Sequence, residues 1–184
     1  MTVWKSRGHR GDVLEELILM TNDYYRSKRL GRVDKVSVPI KVIEIDHHGM
    51  ITKAFFEKKS TVDFQGIIQG VGIAFDAKET TLKSLPLSNI HEHQVEFMGD
   101  ITEQGGLAFL IVHFKFCDEY YLVPYEWILK YLHEEKRRSI PYKEMPKQFQ
   151  IPMPVNGILN YLPVLNAYVA AKAIWKETGD IKAL

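Results

Sequence analysis

The stretch Thr61–Thr80, TVDFQGIIQGVGIAFDAKET, decides how the rest of the chain is read. From Val71 to Lys78 its residues alternate at the two-residue period of a strand. Val71, Ile73, Phe75 and Ala77 form one face, turned to the core, and Gly72, Ala74, Asp76 and Lys78 form the other. An acid and a lysine therefore stand side by side, with small residues leading up to them. Upstream, Asp63 is followed by Gly66 and Gly70, spaced to turn the chain back and bring Asp63 towards Asp76.

Two carboxylates converging beside a lysine suit Mg²⁺, which takes few protein oxygens, keeps several waters and shares its remaining positions with phosphate. Such an ion acidifies a water and offsets charge on a phosphoryl transition state. A nearby ammonium steadies the developing charge. A surface strand with an i, i+2 ion pair, worth little energy, carries the same residues. The residues alone leave both readings open, because D-x(12)-D-x-K is a weak pattern.

That pattern is similar to the core of the PD-(D/E)xK nuclease superfamily. The segments KSTVDF (59–64), FDAKET (75–80), PLSNIHEHQVEFM (86–98) and EQGGLAFLIVHF (103–114) resemble the RecU family of Holliday-junction resolvases. The likeness is colinear from about Arg10 to the region of Tyr168. It implies a restriction-endonuclease-like α/β fold, a central mixed sheet flanked by helices with a protruding β-hairpin stalk. The implied activity is Mg²⁺-dependent nicking of four-way DNA junctions during recombination and repair, with Mn²⁺ as the alternative ion. Asp63 and Asp76 would hold the metal with the Ala77 carbonyl, and Lys78 would position or activate the attacking water. Thr61 matches a threonine placed against the scissile phosphate or the metal-bound water. Arg10, Gly11, Leu14 and Glu15 match an R-G-x-x-L-E pattern in which the acid points to the metal site, and Gln94 matches an H-x-H-Q motif lining it. RecU-like proteins are homodimers, which suits two symmetric nicks, and the resemblance also implies a branch-migration motor and a recombinase as partners. A duplex or flap endonuclease of the same superfamily and a catalytically weak junction binder are the competing expectations.

Two departures stand out. RecU-like sequences usually carry glutamate where this chain has Asp76, one methylene shorter by on the order of 1.5 Å. The N-terminal segment is also short and lacks the long basic tail of many relatives, which is expected to lower junction affinity.

Composition sets the bounds. At 184 residues and 46% hydrophobic, the chain is long enough for one nuclease domain over 1–184. It holds no run of 18 apolar residues and no secretory h-region at MTVWKSRGHRGD. A single cysteine, Cys117, excludes an internal disulfide. These features point to the cytoplasm. Net charge is +1, but residues 1–60 hold 12 Lys/Arg against 8 Asp/Glu, or +4, and the remainder is −3. Lys28, Arg29, Arg32 and Lys35, with Arg10 before them and Lys53, Lys58 and Lys59 after, are the candidate phosphate contacts, since neutralising DNA phosphates releases counterions. A solvated helix end accounts for part of the same cluster.

Along the chain, Asp12 to about Lys28 reads as a helix ended by Gly31, with Glu15 and Glu16 in its first turn. Val33–Lys59 reads as a hairpin turning at His47-His48-Gly49, with Pro39 awkward in a central strand. In RecU-like proteins this segment, about 34–59, is the stalk thought to enter the junction centre, and Lys35, Pro39, Phe56 and Lys58 occupy matching places. Pro86 and Ser88 signal a helix start and Gly105-Gly106 its end. His91 and His93, two apart on a helix, point about 200° apart and do not chelate one ion. Leu107–Phe114 reads as a doubly covered strand, Tyr120–Val123 as another, and Tyr125 to about Arg138 as a helix. Ser139–Asn156 reads as a proline-rich loop or arm, and 163–176 as a last helix.

Overall fold

The computed structural model describes residues 13–56, 61–133, 137–179 and 184. Helix α1 (Val13–Ser27) buries Leu14, Ile18, Thr21 and Tyr25, three and four residues apart on one face. Its stop differs from expectation. The chain turns through Arg29 at a left-handed φ of 57°, and Gly31 opens strand β1 (Gly31–Lys35) instead. A Cβ on Gly31 would lie 2.7 Å from the Ile67 carbonyl oxygen, so the glycine lets β1 lie against a neighbouring strand.

The expected β run after Val33 splits in two. The chain leaves the main sheet after Lys35 and passes Pro39 in an irregular connection. It resumes as β2 (Ile40–Ile45), antiparallel to β3 (Ile51–Phe56) in a separate two-stranded sheet. Proline's missing N–H thus falls outside both ladders. The turn is closed by the Asp46 carboxylate, which accepts from the His48 and Met50 N–H groups at 2.8 and 2.9 Å. All residues of β2 and β3 are exposed, so the hairpin stands clear of the body.

In the main sheet, β4 (Phe64–Ile68) and β5 (Val71–Thr80) are joined by Gln69 and Gly70, with φ of 48° and 83°. Two consecutive positive φ values match the right-handed strand twist. Gly66 takes no part in that turn; a Cβ there would sit 2.0 Å from the Arg32 carbonyl oxygen. Beyond β5 come β6 (Ser84–Pro86), a 3₁₀ turn holding Ser88, and α2 (Glu92–Glu103). The helix therefore begins later than Pro86 and Ser88 signal. This crossover lets β7 (Leu107–Phe114) run parallel to β5. β8 (Glu119–Pro124) returns antiparallel and leads into α3 (Tyr125–His133). The stretch expected as a loop contributes β9 (Ser139–Pro141), paired with β6, and β10 (Gln150–Ile151), on the edge of β8. Strands of two or three residues are too short to show a period. Helix α4 (Leu162–Thr178) ends at Gly179, with φ of 69°.

The result is a six-stranded mixed sheet, β1-β4-β5-β7-β8-β10, flanked by helices. Ile73, Phe75 and Ala77 pack with Phe64 and Phe109 against α1 and α4. Ala74 packs with Ala108, Leu110 and Val112 against α2 and α3. Both faces of β5 are therefore buried from Ile73 to Ala77, where the alternation alone suggested one.

Candidate active site

The ladder between β4 and β5 runs from Ile68–Val71 to Phe64–Phe75 and stops. One residue further, side chains take over from backbone partners. The Asp63 N–H donates to Asp76 Oδ1 at 3.0 Å, and the Ala77 N–H donates to Asp63 Oδ2 at 3.0 Å. The Asp63 carbonyl accepts from the Val36 N–H at 2.8 Å, which anchors the exit of β1 to the same point. The strands fork here, and the fork brings Asp63 and Asp76 together.

Asp76 is fully buried. Its Oδ2 takes no well-formed hydrogen bond and faces the Lys78 ammonium as an ion pair. Lys78 is 16% exposed at its side chain, so its cation stands between the acid and solvent. Burial pushes the Asp63 carboxyl up to about 6, and the charge and hydrogen-bond contact of Asp76 add to the rise, while the Ala77 N–H and Lys78 oppose it. Two carboxylates share one ammonium, so the corner lacks one positive charge when both acids ionise. A buried carboxylate pair whose one cation is a side-chain ammonium fits a divalent cation. No group of three His, Cys, Asp or Glu side chains suited to a metal occurs among the described residues. Water and phosphate would then fill most of the coordination shell, which is the habit of Mg²⁺.

Thr61 is half-buried two residues before Asp63. Glu15 reaches the same end of the sheet from α1, but its carboxylate is paired with Lys35 Nζ. Lys35 lies opposite Phe64 in the ladder, one residue from Asp63. Gln94 is buried on α2, and its Oε1 accepts from the His91 N–H at 3.1 Å, so this oxygen caps the helix. His91 sits off the helix in extended backbone, and its ring stacks on His93 at 5.5 Å, contrary to the divergence expected of two helical residues.

Among the basic residues, Lys28 and Arg29 are exposed at the end of α1. Arg32 is paired with Asp34 at 2.7 Å and Lys53 with Glu44 at 3.7 Å, both exposed pairs that a phosphate can exchange into. Arg10, Gly11, Lys58 and Lys59 lie outside the described residues. The structure adds one residue to the Asp63 face. Gln65 stands two positions after Asp63 on β4, exposed, and the strand period alone places it on the same face.

The Recombination protein U family profile matches residues 9–167. This chain belongs to the RecU family. The Holliday junction resolvase RecU of Leuconostoc mesenteroides subsp. mesenteroides is 40% identical over 171 residues, covering 89% of this chain and 84% of that protein. The Staphylococcus carnosus protein of the same name is 40% identical over 182 residues, covering 94% and 85%. Among solved structures, Archaeoglobus fulgidus Hjc, a Holliday junction resolvase from an archaeal hyperthermophile, aligns with a TM-score of 0.41 and 13% identity, covering 66% of this chain and 84% of that one. The RecU match spans the whole fork, from Asp63 to Lys78. In this RecU chain the shorter Asp76 keeps its carboxylate fully buried beside β4, within reach of the Asp63 N–H.

Proposed function

We propose that this RecU-family chain is a Holliday junction resolvase, a divalent-metal-dependent endonuclease that places paired symmetric nicks in four-way DNA junctions during recombination and repair. The fork carries the reading: Asp76 accepts from the Asp63 N–H, Asp63 accepts from the Ala77 N–H, and the remaining, buried Asp76 oxygen faces the Lys78 ammonium. Asp63, Asp76 and the Ala77 carbonyl would hold the ion, Mg²⁺ or, in its place, Mn²⁺. Such an ion would supply charge neutralisation at the phosphate and a water of lowered pKa. Lys78 holds its proton at Nζ and donates it as a hydrogen bond to the charge that develops at the phosphate. Thr61 orients the phosphate. Glu15 acts at the margin by holding Lys35 at the end of β1, and Gln94 fixes the start of α2. Lys28, Arg29, Arg32, Lys35 and Lys53 contact DNA phosphates, together with Arg10, Lys58 and Lys59.

One such site cuts one strand. Two symmetric nicks call for two copies, and a closed two-fold dimer presents two identical sites. The hairpin supports this, since Ile40, Ile45, Ile51 and Phe56 are 47, 61, 50 and 75% exposed. Apolar surface of that kind is normally covered by a partner. The sheet, its helices and the hairpin act as one nuclease unit. No described helix is long and apolar enough to cross a membrane, and the place of work is the cytoplasm.

The test incubates the protein with a four-way junction and, in parallel, linear duplex of the same sequence, in Mg²⁺ or Mn²⁺. Paired nicks confined to the junction are expected, with Asp63→Ala inactive and Lys78→Ala slowed about 10²–10³-fold. Equal cutting of duplex would point to a general endonuclease. Unchanged behaviour of Asp63→Ala would leave only a junction binder.

A further inference from the structure

The fork face continues past Asp63 as bare sheet. Asp34 lies opposite Gln65 and Arg32 opposite Ile67, while Ile67 in turn faces Gly72, so these residues share the face that carries Asp63 and Asp76. All five are exposed. An open trough of about 710 Å³ follows this face, walled on its other side by Gln104 and Gly105 at the end of α2.

Gly72 marks the trough as a seat. A glycine inside a strand weakens it, and its usual excuse is close approach by another group. Gly31 and Gly66 have that excuse in the β1–β4 contact, but a Cβ on Gly72 would meet nothing within 4 Å, and its φ is not left-handed. The bare backbone leaves room for something from outside the chain. The chemistry of the walls indicates what. Gln65 and Gln104 offer amide groups, Ile67 and Ile101 offer apolar surface, Asp34 is already paired with Arg32, and the C-terminal end of α2 carries the negative end of its dipole. Amides flanked by apolar surface suit base edges and base faces better than phosphate, while the exposed Arg32–Asp34 pair beside the trough can open to a backbone phosphate. Gln65 is two residues from Asp63, about 7 Å along a strand, which equals roughly two base steps of one DNA strand.

We infer that Gln65 reads a base within about two steps of the cut, across the bare backbone of Gly72 and with Gln104 as the opposite wall. The trough is thus a specificity determinant that selects where on a junction the nick falls. The inference rests on the resolvase reading. To test it, a junction with a mobile core, which offers many cut positions, is nicked by wild type, Gln65→Ala, Gln104→Ala and Gly72→Val, and the cuts are mapped to the nucleotide. Wild type is expected to favour a few positions. Gln65→Ala should flatten that preference at least fivefold, the scale of one lost amide–base pairing, and Gln104→Ala should do so less. Gly72→Val should keep its melting temperature, because its side chain meets no neighbour, and lose junction affinity several-fold. An unchanged cut map in Gln65→Ala, or a wild type without positional preference, overturns this inference and leaves the resolvase standing. A wild type that nicks no junction removes both.

Discussion

The fork at Asp63–Lys78 and the hairpin at 40–56 are built by opposite means. The fork is buried at Asp76 and half-buried at Asp63 and Lys78, and its carboxylates are held by the Asp63 and Ala77 N–H groups and by the Lys78 ammonium. The hairpin buries nothing, is held by its own ladder and the Asp46 turn, and carries large apolar side chains into solvent. Charge is kept dry where a reaction needs low dielectric, and apolar surface is kept wet where a partner must find it. The two regions should therefore respond to mutation in inverse ways: damage at the fork changes stability and chemistry together, whereas damage at the hairpin changes association with little effect on the fold.

The largest effect on stability is expected from Lys78→Met. It strands the Asp76 carboxylate without its cation, and breaking a buried pair from one side costs about 3–5 kcal/mol. Urea unfolding reads this loss directly, and part of it should return with added Mg²⁺, which supplies the missing positive charge.

Asp63→Asn should act in the other direction. The Asp63 carboxyl is raised from 3.8 to about 6 in the folded protein, so between those values the folded chain holds a proton that the unfolded chain has released. Stability of the wild type therefore falls as pH rises through that window and stays lowered above it. The asparagine removes this penalty and should gain about 1–3 kcal/mol at pH 8, with no gain below pH 4. Denaturation series at both pH values, with nicking lost at each, would separate stability from function.

Gly49→Ala probes the hairpin alone. Its φ is 79°, a conformation that costs an alanine about 1–2 kcal/mol. Amide exchange in β2 and β3 should quicken while the amides of β4 and β5 keep their protection. The smallest change in stability belongs to Ile40→Ser with Phe56→Ser, within about 0.5 kcal/mol for exposed sites. The same pair should weaken self-association, as sedimentation would show. A drop in monomer stability instead would mean that the hairpin supports the body.

The fork was legible in sequence because a strand has an unvarying two-residue period, so Asp76 and Lys78 must share a side and Asp63 can reach them after a tight turn. The hairpin was legible for a similar reason, as alternation on either side of His47-His48-Gly49. What remained hidden depended on contacts between distant residues. The Glu15–Lys35 pair joins α1 to β1 across 20 positions, and nothing local announces it. Arg29 takes a left-handed φ that glycine usually supplies, while Gly31 answers to the approach of β4. Gln94 is spent on capping α2 because His91, and not Ser88, precedes that helix. Gln65 carries no charge and belongs to no motif, and its place beside open sheet follows only from the β1–β4–β5 register.

The most direct test of the central claim is a calorimetric titration of the DNA-free protein with Mg²⁺ or Mn²⁺ at pH 8 and pH 6. Wild type should bind the ion at one class of site and release more protons at pH 6 than at pH 8, as Asp63 is forced to ionise. Asp63→Asn and Asp76→Asn should each abolish that binding. Equal affinity in wild type and either variant would contradict the assignment of the ion to this pair of carboxylates.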